Sequence, residues 1–532
     1  MPSTKKLLSI TNLKKYFPIA KSSIFQRQQY YVKANEDISL DIYEGETLGI
    51  VGESGCGKST LGRVLLQLYE QTAGTTMYYG MSRAELAPRY VTDTLRHAKR
   101  YISKLHAAQA RADAASAKVS QLGEAATFFD LQNKNLAVAE YQTAQAHIAK
   151  ILGGFLVRDT EQGAALLYRK ARLEERAAAL SDRIRDIELM LDEAEGGTAD
   201  DGKPANASQL ARLKGRCDRL TRERDGLNAQ IREAEQSIAA IKQAHRDDVE
   251  FQRYEAMLDD GIDLARLKYS EMRILRKDLQ IIFQDPYSSL NPRFTIGQII
   301  EEGLVTHKFF RHGSPKMREH VVRTMKECGL QEYMLFRYPH QFSGGQRQRI
   351  SIARALAVHP KFVVCDECVS ALDVSIQSQI INLLQELKQK EHLTYMFISH
   401  DLSVVRYISD RICVMYLGNV VELADAATVF GDPRHPYTVA LLSSIPTTDM
   451  ESLKKERILL EGSIPSPVKP PDGCKFHTRC WMACDKCRRV PPPLAEIEPG
   501  HFVACHFPER KLDENGNYLF EMPKTEKKSA KE

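Results

Sequence analysis

Apolar residues follow three rhythms along this chain. Before residue 52 they alternate or run together. Leu7-Leu8-Ser9-Ile10 and Ile38-Ser39-Leu40-Asp41-Ile42 predict half-buried strands, and Thr47-Leu48-Gly49-Ile50-Val51 a buried one. Leu61-Gly62-Arg63-Val64-Leu65-Leu66 then reads as a helix, and residues 75–80 as a strand-like run. From about 81 to 260 the spacing changes to steps of three and four. Leu166, Leu173, Ala177, Leu180, Ile184, Ile187 and Leu191 form one heptad seam. Leu213, Cys217, Leu220, Arg224, Leu227, Ile231, Ala234, Ile238 and Ile241 form a second, and the breakers of 195–204 lie between them. Two such helices predict an antiparallel coiled-coil hairpin, each arm roughly 45 Å or more at ~1.5 Å per residue. A weaker seam from Leu95 to Leu122 and a helical run from Leu136 to Leu152 extend the prediction to a four-helix arm. Its surface suits a docking partner; the alternative is a solvated spacer.

Short apolar runs return near Gly261-Ile262-Asp263-Leu264. Residues 279–284, 361–367 and 395–400 read as strands, with helical segments over about 296–329 and from the 341–349 region through 357. Each of these strands ends in a polar residue: Gln284, Asp366 with Glu367, and His400. Strands alternating with helices predict an α/β fold.

At 532 residues the chain exceeds one ordinary domain. Its net charge of +5, from 74 basic and 69 acidic residues, does not argue for nucleic acid. No signal peptide is expected at residues 1–6 and no apolar stretch approaches a membrane span, so disulfides are not expected either. Five of the eleven cysteines, Cys474, Cys480, Cys484, Cys487 and Cys505, cluster late in the chain.

The chemistry starts at Gly52-Glu53-Ser54-Gly55-Cys56-Gly57-Lys58-Ser59-Thr60, a complete G-x-x-x-x-G-K-[ST] phosphate loop between a strand and a helix. Glycines let backbone N–H groups curl around a phosphate, and the helix aims its positive end there. Lys58 would reach the β- and γ-phosphates, and the Ser59 hydroxyl would sit on Mg²⁺. Phe17, beside Tyr16, could stack on a base; spacing alone favours a place in the core.

The order of phosphate loop, Gln284, Gln341-Phe342-Ser343-Gly344-Gly345-Gln346, Asp366-Glu367, Ser370-Ala371-Leu372-Asp373 and His400 resembles the nucleotide-binding subunit of ATP-binding-cassette transporters, over 1–80 and 261–440. The resemblance implies that fold with a helical subdomain. It implies ATP held by the phosphate loop, by Phe17 as the adenine-stacking aromatic, and by Ser343, Gly344, Gly345, Gln346 and Asp373 acting on the nucleotide of a second cassette. It implies Mg²⁺ on Ser59, Gln284 and Asp366, and Glu367 as catalytic base, with His400 and Gln284 completing the site. Cys368 departs from the pattern, since many relatives carry Pro there; tuned rather than lost turnover is expected.

Gly418-Asn419-Val420-Val421-Glu422, Pro433-Arg434-His435-Pro436-Tyr437-Thr438, residues 284–293 and Gly473-Cys474-Lys475-Phe476-His477-Thr478-Arg479-Cys480 resemble the oligopeptide/dipeptide importer branch, in its F-type ATPase. That implies a peripheral protein on the cytoplasmic face of the cell membrane. Its partners would be a D-type ATPase, two permeases and, through the complex, an extracytoplasmic peptide-binding protein. The expected domains are the split cassette, the insertion 81–260, a C-terminal region 441–515 and a disordered tail 516–532. Cys474, Cys480, Cys487 and Cys505 form a soft donor set for zinc or iron–sulfur, with buried free thiols the alternative. Relatives with this tail imply a [4Fe–4S] cluster, and Cys484 is extra. A chromosome-maintenance ATPase also separates these motifs by coiled coil. Here, however, the insert returns before Gln284 and its tip lacks a C-x-x-C hook. A two-cassette translation factor would need a second phosphate loop.

Overall fold

The computed structural model describes residues 5–21, 28–195, 207–310, 312–445 and 458–508; the loop expected at 195–204 and the tail at 516–532 fall almost wholly outside them. The chain divides into two compact units, Met1–Thr72 with Arg273–Glu532, and Ala73–Met272.

The first unit opens with a long antiparallel pair, β1 (Lys6–Pro18) and β2 (Tyr31–Tyr43), whose register shifts at several bulges. Next comes β3 (Thr47–Val51), buried at all five positions. In the second unit β4 (Ala73–Tyr78) pairs antiparallel with β5 (Ile262–Asp263), Tyr78 opposite Ile262. The first unit resumes with β6 (Leu279–Ile282), β7 (Phe362–Asp366), β8 (Thr394–Ile398), β9 (Arg411–Tyr416) and β10 (Asn419–Asp425), then β11 (Ala495–Glu498) and β12 (His501–Val503). They form one sheet in the order β11-β12-β10-β9-β3-β8-β7-β6. β6, β7, β8, β3 and β9 are parallel. β3, β7 and β8 are buried at every position because helices cover both faces of such a sheet.

Parallel strands point their carboxyl ends to one edge, where ligands of such sheets bind. The phosphate loop, Gln284, Asp366-Glu367 and His400 all follow such ends. The flanking core gathers Ile300, Leu304, Val321, Met325, Ile352, Leu384 and Phe397. The helical segments expected over about 296–329 are two helices, Ile296–Thr306 and Pro315–Glu327. The break is local: Ser314 caps the second helix through the Met317 N–H, and Pro315 occupies its first turn.

The second unit is helical around its own core. Val91, Leu95, Leu105, Ile148, Leu152, Phe155, Ala164, Ile238 and Phe251 pack together. The weak seam is interrupted at His97 between Arg89–Arg96 and Ala98–Leu122. The run expected from Leu136 starts earlier, at Phe128, where Thr127 and Asp130 form a capping box. The two strong seams lie on Thr160–Glu195 and Ala207–Ala244. These helices bury Leu173, Leu180, Ile184 and Ile187 with Leu220 and Leu227. Lys170 lies 3.0 Å from Glu235, so the start of one helix meets the end of the other. The unit's edges, 73 and 272, lie outside 81–260 because β4 and β5 belong to it.

Candidate functional site

Gly52 (φ 148°) and Gly57 (φ 98°) give the phosphate loop its shape. A Cβ on Gly52 would strike the Met415 carbonyl, and one on Gly57 the Ala34 carbonyl. The helix Lys58–Leu65 starts with no side-chain cap, leaving its first N–H groups to whatever enters the loop. Lys58 is buried; its Nζ donates to the carbonyls of Gly52 (2.8 Å) and Glu53 (3.1 Å). An ammonium inside a concave turn of N–H groups favours an anion. Ser54 and Gly55 are exposed and Cys56 is buried, its thiol shifted up by burial. Thr60 follows on the helix.

Ser59 Oγ donates to Asp366 Oδ1 at 2.6 Å across 307 residues of sequence. Asp366 is 1% exposed, and Arg63 Nη2 lies 3.3 Å from its other oxygen. A hydroxyl and a carboxylate side by side are hard oxygen donors that fit Mg²⁺. Glu367 stands one residue on, at φ 49°, a left-handed conformation costly for a residue with a Cβ. Its N–H is held by the Ile398 carbonyl at 3.0 Å. Gln284 Nε2 donates to Glu367 Oε2 at 2.8 Å, and His400 Nδ1 lies 3.7 Å from the same oxygen. Parallel strands thus bring Ser59, Asp366, Glu367, Gln284 and His400 into one chain of contacts. Cys368 is buried and hydrogen-bonds Cys365.

Other candidates are not in that chain. Phe17 is half-buried, its ring edge-on to Tyr69 at 5.4 Å with Lys15 Nζ 4.6 Å from it. Tyr16 is buried and bonds Glu36. Ser343 caps the helix Gly344–Leu356 in a capping box with Gln346. Gly344 is exposed, and Gly345 is packed so closely on Ile376 that a Cβ would not fit. Asp373 is exposed at the start of Val374–Glu391.

Two residues missed as site residues grip the phosphate loop from later in the chain. Arg479 makes a two-pronged bond to the Glu53 carboxylate, Nη1 to Oε2 at 2.7 Å and Nη2 to Oε1 at 3.0 Å. The Glu53 N–H donates to Tyr437 Oη at 2.7 Å. Glu422 fixes the preceding turn: its carboxylate accepts from the N–H groups of Arg434 (2.7 Å) and His435 (2.9 Å) and approaches His501 Nε2 (2.9 Å). Glu36 carries a further link. Burial opposes its charge, yet Lys475, Lys14 and Lys33 hold its carboxyl down to about 2. No spacing rule pairs a residue near 53 with one near 479.

Cys474, Cys480, Cys487 and Cys505 line one small cavity of about 20 Å³, with Phe476, His477 and His506. Cys484 lies outside it, its sulfur 3.8 Å from that of Cys487. Burial pushes the thiols of Cys474 and Cys480 up to about 11 and about 12. Among the described residues no three His, Cys, Asp or Glu side chains are arranged to hold a metal ion, and no helix is long and apolar enough to cross a membrane.

The family model described as ABC transporter matches residues 35–155 and 218–370, and that of the oligopeptide/dipeptide transporter C-terminal region matches 421–487. The chain is similar to the putative oligopeptide transport ATP-binding protein YkfD of Bacillus subtilis, 53% identical over 248 residues, 46% of this chain and 75% of that protein. It is 52% identical over 254 residues to the oligopeptide transport ATP-binding protein AppF of Bacillus subtilis, 47% and 76% of the two chains. A putative peptide import ATP-binding protein of Brucella ovis is 52% identical over 247 residues, 46% and 77%.

Proposed function

The chain belongs to the ABC transporter family, and on that premise we propose how its residues hydrolyse ATP to drive peptide import. It is an ATPase that energises import of oligopeptides or dipeptides through a membrane transporter. The observation that carries this reading is the direct contact of Ser59 with Asp366, beside Glu367.

Phosphoryl transfer to water is mostly positioning and electrostatics. The loop N–H groups and Lys58 hold the phosphates of ATP. Ser59, Asp366 and Gln284 would hold Mg²⁺; when bound, the ion offsets phosphate charge. Glu367 accepts a proton from the attacking water. The Gln284 amide and the His400 ring fix the Glu367 carboxylate, and the backbone at φ 49° aims it. Phe17 stacks on the adenine.

Ser343, Gly344, Gly345, Gln346 and Asp373 act on the nucleotide of a second cassette, a D-type ATPase. The exposure of Ser343, Gly344 and Asp373 at helix starts supports this. Two permeases and an extracytoplasmic peptide-binding protein complete the transporter, with this chain on the cytoplasmic face of the cell membrane. The helix pair Thr160–Glu195 and Ala207–Ala244 reads as an antiparallel coiled-coil arm for docking, within an insertion over 81–260 of the cassette 1–80 and 261–440. Residues 441–515 are a C-terminal region. Its Cys474, Cys480, Cys487 and Cys505 would hold a [4Fe–4S] cluster, or zinc, when one is bound; the shared cavity lined by four soft donors supports this. Protein purified without air should be brown with iron and acid-labile sulfide. Serine at any of the four should bleach it, and Cys484→Ser should not. Colourless, metal-free protein would leave buried thiols.

The function is tested in membrane vesicles containing the permeases, the D-type ATPase and this chain, supplied with the peptide-binding protein. ATP-dependent uptake of a labelled oligopeptide is expected, lost with Glu367→Gln. Uptake without this chain, or full ATPase activity in a demonstrated monomer, would contradict the reading.

A further inference from the structure

The helical unit contains a cavity of about 950 Å³ that no step of ATP hydrolysis uses. Small-molecule sites span about 300–1,000 Å³. The helices Arg89–Arg96, Ala98–Leu122 and Phe128–Leu152 supply most of its wall, and Tyr168, Arg172, Arg266 and Lys268 complete it. Seven lining side chains are Arg or Lys, against two carboxylates, Asp93 and Glu140. The whole chain is nearly balanced, 74 to 69, so this excess is local.

The two carboxylates are already engaged. Glu140 pairs with Arg111 at 2.5 Å, and Asp93 accepts from the Tyr101 hydroxyl at 2.5 Å. Arg172 pairs with Glu175, beyond the wall. Arg266 is fixed by neutral acceptors: Nη1 donates to the His147 carbonyl at 3.0 Å and Nη2 to Thr94 Oγ1 at 2.9 Å. Its guanidinium lies 4.4 Å over the Tyr90 ring. Burial pulls its proton affinity below the ordinary value, against the charge of Asp263, which itself faces His147 at 3.2 Å. Buried Glu271 spends its two oxygens on backbone, accepting the N–H groups of Arg89 and Lys268 at 2.8 Å each. It thereby positions two cationic residues of the wall.

Like charges crowded into one concavity repel each other, and an anion relieves this. Guanidinium forks match the oxygens of phosphate, and several phosphates satisfy several forks. We propose that this cavity binds a small ligand bearing two or more phosphate groups, held by Arg89, Arg96, Arg172, Arg266 and Lys268. The phosphates come from a soluble metabolite or a lipid headgroup.

The test uses the full chain with saturating MgADP, so that the phosphate loop is occupied. Calorimetric titration with tripolyphosphate should show one further equivalent bound, weakening as salt rises. The Arg89→Ala/Lys268→Ala pair removes exposed side chains and should weaken it by about tenfold or more. Arg172→Ala is a second variant should that pair misfold. Co-sedimentation with phosphatidylcholine vesicles, with and without cardiolipin, whose headgroup carries two phosphates, separates the sources. Capture by the anionic vesicles that the variants abolish assigns a headgroup, and tripolyphosphate binding alone assigns a soluble ligand. Binding to neither probe, binding that both variants leave unchanged, or citrate bound as tightly as tripolyphosphate would overturn the proposal.

Discussion

In the sheet-bearing unit, the candidate site joins residues far apart in the chain. Ser59 meets Asp366, and Arg479 reaches back to Glu53. In the helical unit the long contacts repeat: Leu173, Leu180 and Ile187 on one helix, Leu220 and Leu227 on the other. The first unit needs each residue at one place on one sheet edge. The second needs only a period, and many apolar residues satisfy a period. The nucleotide site should therefore be sensitive to single atoms, and indifferent to much of the helical unit.

The largest effect is expected at Glu367. Glu367→Gln should lower turnover by about 100-fold or more while ATP affinity stays, if the carboxylate acts on the water alone as proposed. Phosphate release and equilibrium ATP binding measure the two separately. Steady hydrolysis would remove Glu367 from its role and weaken the contrast.

Lys58→Ala should come next, weakening ATP binding itself by about tenfold or more through loss of a charge-assisted contact. Unchanged affinity in an equilibrium titration would show that the loop's N–H groups suffice.

Arg479→Ala should act more mildly. It leaves Glu53 without its forked partner and costs about 2 kcal/mol of stability, the scale of a hydrogen bond to a charged group. Denaturant melts should detect the loss, and ATP affinity should fall a few fold. A variant as stable as the parent would uncouple the C-terminal region from the loop.

The strands, the phosphate loop and the two strong seams were legible in the sequence because each is a local pattern. Gln284, Glu367 and His400 were legible only by order and resemblance. Their joining follows from the parallel pairing of β6, β7, β8 and β3, which no single segment encodes. The break at Ser314-Pro315 was readable in principle, from a cap followed by proline. The break at His97 carries no such signal. The grips of Arg479 and Tyr437 on Glu53 could not be read: both residues lie in the quoted importer segments, but nothing in those segments ties them to a residue of the loop. The basic cavity was hidden for a similar reason: its arginines lie on separate helices and sum to a charge only when folded.

Replacing residues 81–260 with a short Gly-Ser bridge tests the comparison most directly. Tyr78 already stands opposite Ile262, so the bridge spans a short gap. A soluble, folded protein should result that binds MgATP within about twofold of the full chain, as surface insertions allow. A deletion protein that is insoluble, or folded yet unable to bind MgATP, would contradict the account and make the helical unit part of the nucleotide site's foundation.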